Sequence, residues 1–128
     1  MGPTDLMIGD WVLRFGEVPS TVEAIGNVEV YLSDDWRLTY EHIKPIPLTN
    51  EILEKNGFGY IEKDEYSGIV HYYPGEKQFC ANMDFHIGTN QKGVYWLNYL
   101  GNTIRGIRYV HELQHAFHLC GIEKDIII

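Results

Sequence analysis

From Gln78 to Ile87 the chain alternates without a break. Phe79, Ala81, Met83, Phe85 and Ile87 fall on one side; Gln78, Cys80, Asn82, Asp84 and His86 fall on the other. A sustained period of two is the pattern of a strand with one dry and one wet face, and no amphipathic helix reproduces it. The neighbours follow suit. Ile69, His71 and Tyr73 alternate with Val70 and Tyr72, Pro74-Gly75-Glu76-Lys77 makes a turn, and "GTNQKG" leads into Val94–Leu100. Tyr60 to Leu100 is therefore expected to form a three-stranded antiparallel sheet.

The first 45 residues read as short strands cut by turn residues. "LMIGDWVLRFG" carries Gly9-Asp10 and Phe15-Gly16, and Gly26-Asn27 precedes Val28, Val30 and Leu32 on one face. Ser33-Asp34-Asp35 then turns the chain into Trp36, Leu38 and Tyr40. Strands of about five residues joined by tight turns fit a small SH3-like barrel or an open antiparallel meander. In "KPIPLTNEILEKNGF", Pro45 and Pro47 keep the chain extended. Thr49 caps a short helix, Leu48 and Leu53 staple its start, and Asn56-Gly57 ends it. A final helix is expected from about Thr103, capped by Asn102 or Thr103, to Gly121, and "EKDIII" is placed as a closing strand. The fold class is α+β. The organisation is one compact domain over 1–128, or two lobes, a β lobe at 1–46 and an α+β lobe at 47–128.

At 128 residues and 45% hydrophobic content the chain can bury a core unaided. Its net charge of −8 opposes binding to a phosphate backbone, so no nucleic-acid partner is expected. With no apolar run near the roughly 20 residues of a membrane span, and no leader-like start in "MGPTDLMIGD", no membrane partner is expected either, and the expected location is the cytoplasm. Cys80 and Cys120 are read as reduced, buried thiols.

The chemically loaded stretch is "VHELQHAFHLCG", residues 110–121, which contains H-E-x-x-H. On a helix, His111 and His115 could ligate zinc from one face while Glu112 acts as base. At about 100° per residue, His111, His115 and His118 share an arc, and Val110, Leu113, Phe117 and Cys120 occupy the opposite, core-facing arc. Zinc needs a third protein ligand. His118 lies about 10 Å along the helix from His111, too far for joint ligation with both other rings. Downstream only Glu123 and Asp125 remain, and Gly121 stands where a metzincin places its last His. His71 or His86 would have to come from a strand. No catalytic residue, metal ligand or cofactor is therefore assigned, and a packed helix with surface histidines is the expectation.

Three blocks, "DLMIGDWV", "PIPLTNEILEKNGF" and "RYVHELQHAFHLCG", cover about a third of the chain in this order. Together they resemble a family of short proteins of unknown function from anaerobic gut bacteria and their mobile elements or phages. The resemblance implies no activity. The family's pattern is similar to V-H-Q-L-Q-N, with Gln at the position of Glu112 and Asn at that of His115. It implies that zinc and a general base are not required there, and that His111 and Gln114 tie the helix to a neighbouring strand or loop.

Tyr72, Tyr73, Tyr95, Trp96 and Tyr99 could form an aromatic platform for a glycan or peptide, and Asp84 and His86 could approach His71. No phosphate-cradling glycine motif or activated nucleophile is present. The leading expectation is a non-enzymatic protein acting through an unidentified protein partner. The alternatives are a minimal zinc-dependent hydrolase using HELQH, and a glycan- or peptide-binding module.

Overall fold

The computed structural model describes residues 1–75 and 84–128. The Gln78–Met83 part of the expected central strand, with Cys80, and the Glu76-Lys77 half of the expected turn lie outside the described residues. The chain forms two compact units. The first contains Met1–Pro47 with Tyr109–His115, and the second contains Leu48–Arg108 with Ala116–Ile128.

The first unit is a five-stranded antiparallel sheet built from β1 (Trp11–Arg14), β2 (Val18–Ile25), β3 (Glu29–Leu32), β4 (Arg37–Thr39) and β5 (Ile43–Pro45). Its order is β4-β3-β2-β1-β5, so β5 returns to pair with β1 and the sheet stays open, with β4 and β5 as edges. This corrects the expected closed barrel. It also differs from a simple meander, because the three-residue 3-10 turn Tyr40–His42 carries the chain across from β4 to β5. The inner face gathers Val12, Val22, Val30, Leu32, Leu38 and Ile43 with Leu6 into one apolar cluster, as period-two patterning requires. Tyr40 packs against it and donates its hydroxyl to the carbonyl of Gly26 at 2.5 Å.

The second unit holds helix α1 (Asn50–Lys55) and β6 (Tyr60–Lys63), β7 (Val70–Tyr73), β8 (Phe85–Thr89), β9 (Tyr95–Tyr99) and β10 (Asn102–Ile107). Thr49 caps α1 by accepting the amide of Ile52, Leu48 and Leu53 are both buried, and Gly57 stops the helix at φ +90°. The strands form a continuous antiparallel meander, β10-β9-β8-β7-β6. Five strands replace the expected three: Tyr60–Lys63 forms β6 against β7, and the chain from 102 to 107 is β10 rather than the start of the last helix. Leu100-Gly101 causes the second difference: both residues are left-handed (φ +48° and +82°), which folds the chain into a hairpin pairing Asn102 with Tyr99. Thr103 is thus a strand residue and caps nothing.

Helix α2 therefore runs from Val110 to Leu119. It ends in a Schellman arrangement, with the amide of Ile122 reaching the carbonyl of Phe117 at 2.9 Å and Gly121 left-handed. The tail forms no strand. Instead Asn56 acts as a strand surrogate, accepting the amide of Ile127 and donating to its carbonyl, both at 2.8 Å. The core of the second unit centres on Phe58, which meets Phe85 edge-on at 5.6 Å and Phe117 at 6.3 Å. Among the described residues no helix is long and apolar enough to cross a membrane.

Candidate functional site

The first turns of α2 decide how the HELQH motif is used. An isolated bridge between Pro47 and Tyr109, and a bond from the amide of Val110 to the carbonyl of Ile46 (2.8 Å), fix where the helix begins. Tyr109 is the cap residue and Glu112 sits three residues into the helix. The carboxylate of Glu112 accepts the backbone amide of Tyr109 at 3.1 Å, which is the return half of a capping box. An acid at this position also complements the helix dipole. The residue that would serve as base in a zinc peptidase thus works as a helix cap.

Gln114 and His115 reach the loop before β1. That loop is tight: the amide of Gly9 bonds Val22, the amide of Asp10 bonds the carbonyl of Met7, and the amide of Met7 bonds Oδ2 of Asp10 at 2.8 Å. Gln114 brackets the next peptide. Its Nε2 donates to the carbonyl of Gly9 and its Oε1 accepts the amide of Trp11, both at 2.9 Å. His115 Nε2 lies 2.6 Å from Oδ2 of Asp10, a carboxylate whose side chain is only 3% exposed. Two sequence blocks a hundred residues apart are joined by one amide and one imidazole, as the role expected of Gln114 requires.

His111 departs from expectation. Instead of facing solvent it is 6% exposed, with Tyr109 stacked on it at 6.0 Å and His115 edge-on at 5.5 Å. The loop held by Gln114 and His115 comes close beside it, near enough for Asp10 and Asp5 to act on its charge. Burial lowers the imidazole pKa below its ordinary value. His115 pushes it the same way, while Asp10, Glu112 and Asp5 oppose. Its Nδ1 has no hydrogen-bond partner among the described residues. Of the three helix histidines only His118 is exposed.

Among the described residues no group of three or more His, Cys, Asp and Glu side chains converges to hold a metal ion. Glu123 and Asp125 are exposed, and Cys120 is a half-buried free thiol. His71 and His86, the strand candidates for a third ligand, meet each other instead, with ring centroids 5.0 Å apart. Thr103 donates to Asn98 Oδ1 at 2.7 Å and Asn98 Nδ2 donates to His86 Nε2 at 3.0 Å, so that nitrogen acts as an acceptor.

The aromatic residues of the second sheet divide between its faces. Tyr72 and Tyr95 are buried, and Tyr95 donates to Asn50 Oδ1 at 2.7 Å. Burial, reinforced by Tyr72 and Glu51, pushes the Tyr95 hydroxyl up to about 12. Trp96 lies on the opposite face, flat over Gly88, where a Cβ would come within 2.3 Å of its indole nitrogen. Strand alternation rules out a common platform for these five residues.

The first unit carries a cluster that the period-two reading passed over. Phe15, Trp36 and His42 come from three separate turns, yet Phe15 meets Trp36 edge-on at 5.5 Å and His42 at 5.3 Å. The guanidinium of Arg14 sits 4.6 Å above the Trp36 ring and pairs with Asp34 at 3.2 Å. The signal was present in the sequence as a bulky residue before Gly16, where a tight hairpin turn favours Asn. Trp36, expected on a strand face, stands in the turn before β4.

No protein-family model, curated protein or solved structure matches the chain.

Proposed function

We propose that this is a non-enzymatic protein that acts through contacts with another protein, in the cytoplasm of a host carrying a mobile element or phage. The observation that carries this reading is the use to which the HELQH side chains are put. Glu112 caps its helix, Gln114 brackets a peptide of the loop before β1, and His115 binds a buried carboxylate. Side chains committed in this way serve the fold, and their hydrogen bonds would have to break before they could hold a metal or take a proton. The mobile-element setting rests on the three blocks that resemble that family. The zinc-hydrolase alternative requires His115 to exchange Asp10 for a metal, and the glycan- or peptide-binding alternative loses support from the splitting of the tyrosines between two sheet faces.

The test is a hydrolase screen on purified protein with and without added zinc, run beside Glu112→Gln. Gln keeps the oxygen that accepts the Tyr109 amide and removes the base. We expect no specific turnover in either protein, and a stability of Glu112→Gln within about 1 kcal/mol of the parent, the loss being the dipole interaction of the carboxylate. A turnover present in the parent and lost in Glu112→Gln contradicts the proposal.

A further inference from the structure

We infer that Asn56, Lys55 and Phe58 of the second unit form a seat for an extended segment of a partner protein, in which a Lys or Arg is followed two residues later by a branched aliphatic side chain. Residues 124–128 occupy this seat in the structure and act as its resident competitor. The inference names the partner chemistry for the contact-based function proposed above and rests on that reading.

The first support is the way Asn56 reads backbone. The residue closes α1, is 6% exposed, and anchors its Nδ2 on the carbonyl of Ile52 at 2.8 Å. That anchor fixes the plane of the amide. The same Nδ2 donates to the carbonyl of Ile127 and Oδ1 accepts its N–H, each at 2.8 Å. Both bonds go to main-chain groups, so any extended residue other than proline satisfies them, as in strand addition. Leaving these groups of a buried amide without partners is costly, so the seat calls for an extended backbone rather than an arbitrary apolar surface.

The second support is the chemistry of what is seated. The Lys124 ammonium stands 5.8 Å from the centroid of the Phe58 ring, and Ile126 is buried. The Lys55 Nζ donates to the carbonyl of Ile128 at 2.6 Å. A cation over an aromatic face, a buried aliphatic side chain two residues on, and a carbonyl two residues beyond that define the ligand. Asp125 and Ile127, both exposed, add no side-chain requirement.

The third support is exchangeability. Residues 122–128 have no regular secondary structure and follow Gly121, whose left-handed backbone (φ +69°) ends α2. Glu123, Lys124 and Asp125 are exposed, and Ile127 leaves an apolar residue 51% exposed. A segment with so little of its surface buried belongs to the low-stability end of a fold and opens without global unfolding. The seat is free for a partner in the fraction of molecules in which the segment has left, and its apparent affinity is lowered by that fraction. The resident segment thus sets a threshold that a longer partner segment, with contacts beyond the seat, exceeds.

The test titrates the full chain with a labelled, end-capped peptide of sequence EKDIII, followed by fluorescence anisotropy. We expect saturable binding that strengthens about tenfold in Ile126→Ser, because that change weakens the resident segment and leaves the seat intact. The variant's unfolding transition confirms that it stays folded. A peptide N-methylated at the residue matching Ile127 lacks the N–H that Asn56 accepts and should not bind; nor should one with Ser in place of its first Ile. In the parent, hydrogen exchange at the Ile127 amide should be at least about a hundredfold faster than at Leu97 in the central strand β9. This measurement stands whether or not Ile126→Ser folds. Equal binding by parent and Ile126→Ser, no binding by either, undiminished binding of the N-methylated peptide, or an Ile127 amide as protected as that of Leu97 overturns the inference. A concentration-dependent dimer of the parent, lost in Ile126→Ser, would assign the seat to the same segment of a second copy and overturn the partner reading. Each of these leaves the contact-based function to another surface, whereas a specific turnover lost in Glu112→Gln would remove the functional reading itself.

Discussion

Replacing Gln114 by Ala tests the junction between α2 and the loop before β1. The side chain makes two bonds to backbone: one accepts the part-buried amide of Trp11, and the other donates to the more exposed carbonyl of Gly9. A typical bond contributes about 0.5–1.5 kcal/mol net, and a buried donor left without a partner costs about 1–3 kcal/mol. Water can reach the Gly9 carbonyl, so that bond is placed at the low end, about 0.5 kcal/mol. The Trp11 amide, only partly shielded, is placed near 1.5 kcal/mol. Gln114→Ala should therefore destabilise the protein by about 2 kcal/mol. Gln114→Glu keeps the acceptor for Trp11 but loses the donor and sets a carboxylate against a carbonyl, so about 1 kcal/mol is expected. Urea unfolding followed by tryptophan fluorescence measures both, and hydrogen exchange at the Trp11 amide localises the loss. Gln114→Ala within about 0.5 kcal/mol of the parent, the range of ordinary surface substitutions, would refute the reasoning.

Three further outcomes are expected. His115→Gln retains a donor to Asp10 and should stay within about 1 kcal/mol of the parent, whereas His115→Ala leaves a buried carboxylate with the Met7 amide and should cost about 2–3 kcal/mol; equal melting of the two variants counts against the contact. His111 has a folded-state pKa below its unfolded value, so on acidification the unfolded chain takes up its proton first. Its contribution is present above about pH 6.5 and is lost as pH falls toward the lowered folded pKa. The stability gap between parent and His111→Gln should shrink between pH 7.5 and 5.5 in urea titrations, and a gap that widens would reverse the sign. Ser20 is 4% exposed and its hydroxyl lacks a hydrogen-bond partner among the described residues, so Ser20→Ala should be neutral or raise stability by up to about 1 kcal/mol in thermal melts.

The elements that were legible in the sequence are those set by local chemistry. Thr49, Leu48, Leu53 and Gly57 mark α1 because capping, stapling and a left-handed stop act within a few residues. Alternation at Val70–Tyr73 and Tyr95–Tyr99 marks strands for the same reason. The errors came where pairing between strands, rather than the pattern of one segment, decides. Asn102–Ile107 offers helix caps and a strand ladder at once, and pairing with β9 selects the strand. Closure of the first sheet depended on whether β4 would meet β5, a question of curvature that no single strand encodes. At the site, the wheel placed His111, His115 and His118 correctly relative to one another but could not anticipate a loop from residues 6–11 close beside two of them. The polar partners Asp10–His115 and Gly9–Gln114 are about a hundred residues apart, which is why a motif suggestive of zinc gave no hint of its structural use.

The most direct measurement of that use is the metal content of protein purified without added metal, taken by elemental analysis for the parent and for His115→Gln. We expect far less than one zinc per chain in both, with melting temperatures unmoved by chelator. One tightly held zinc per chain in the parent, lost in His115→Gln together with chelator-sensitive stability, would show that His115 serves an ion rather than Asp10.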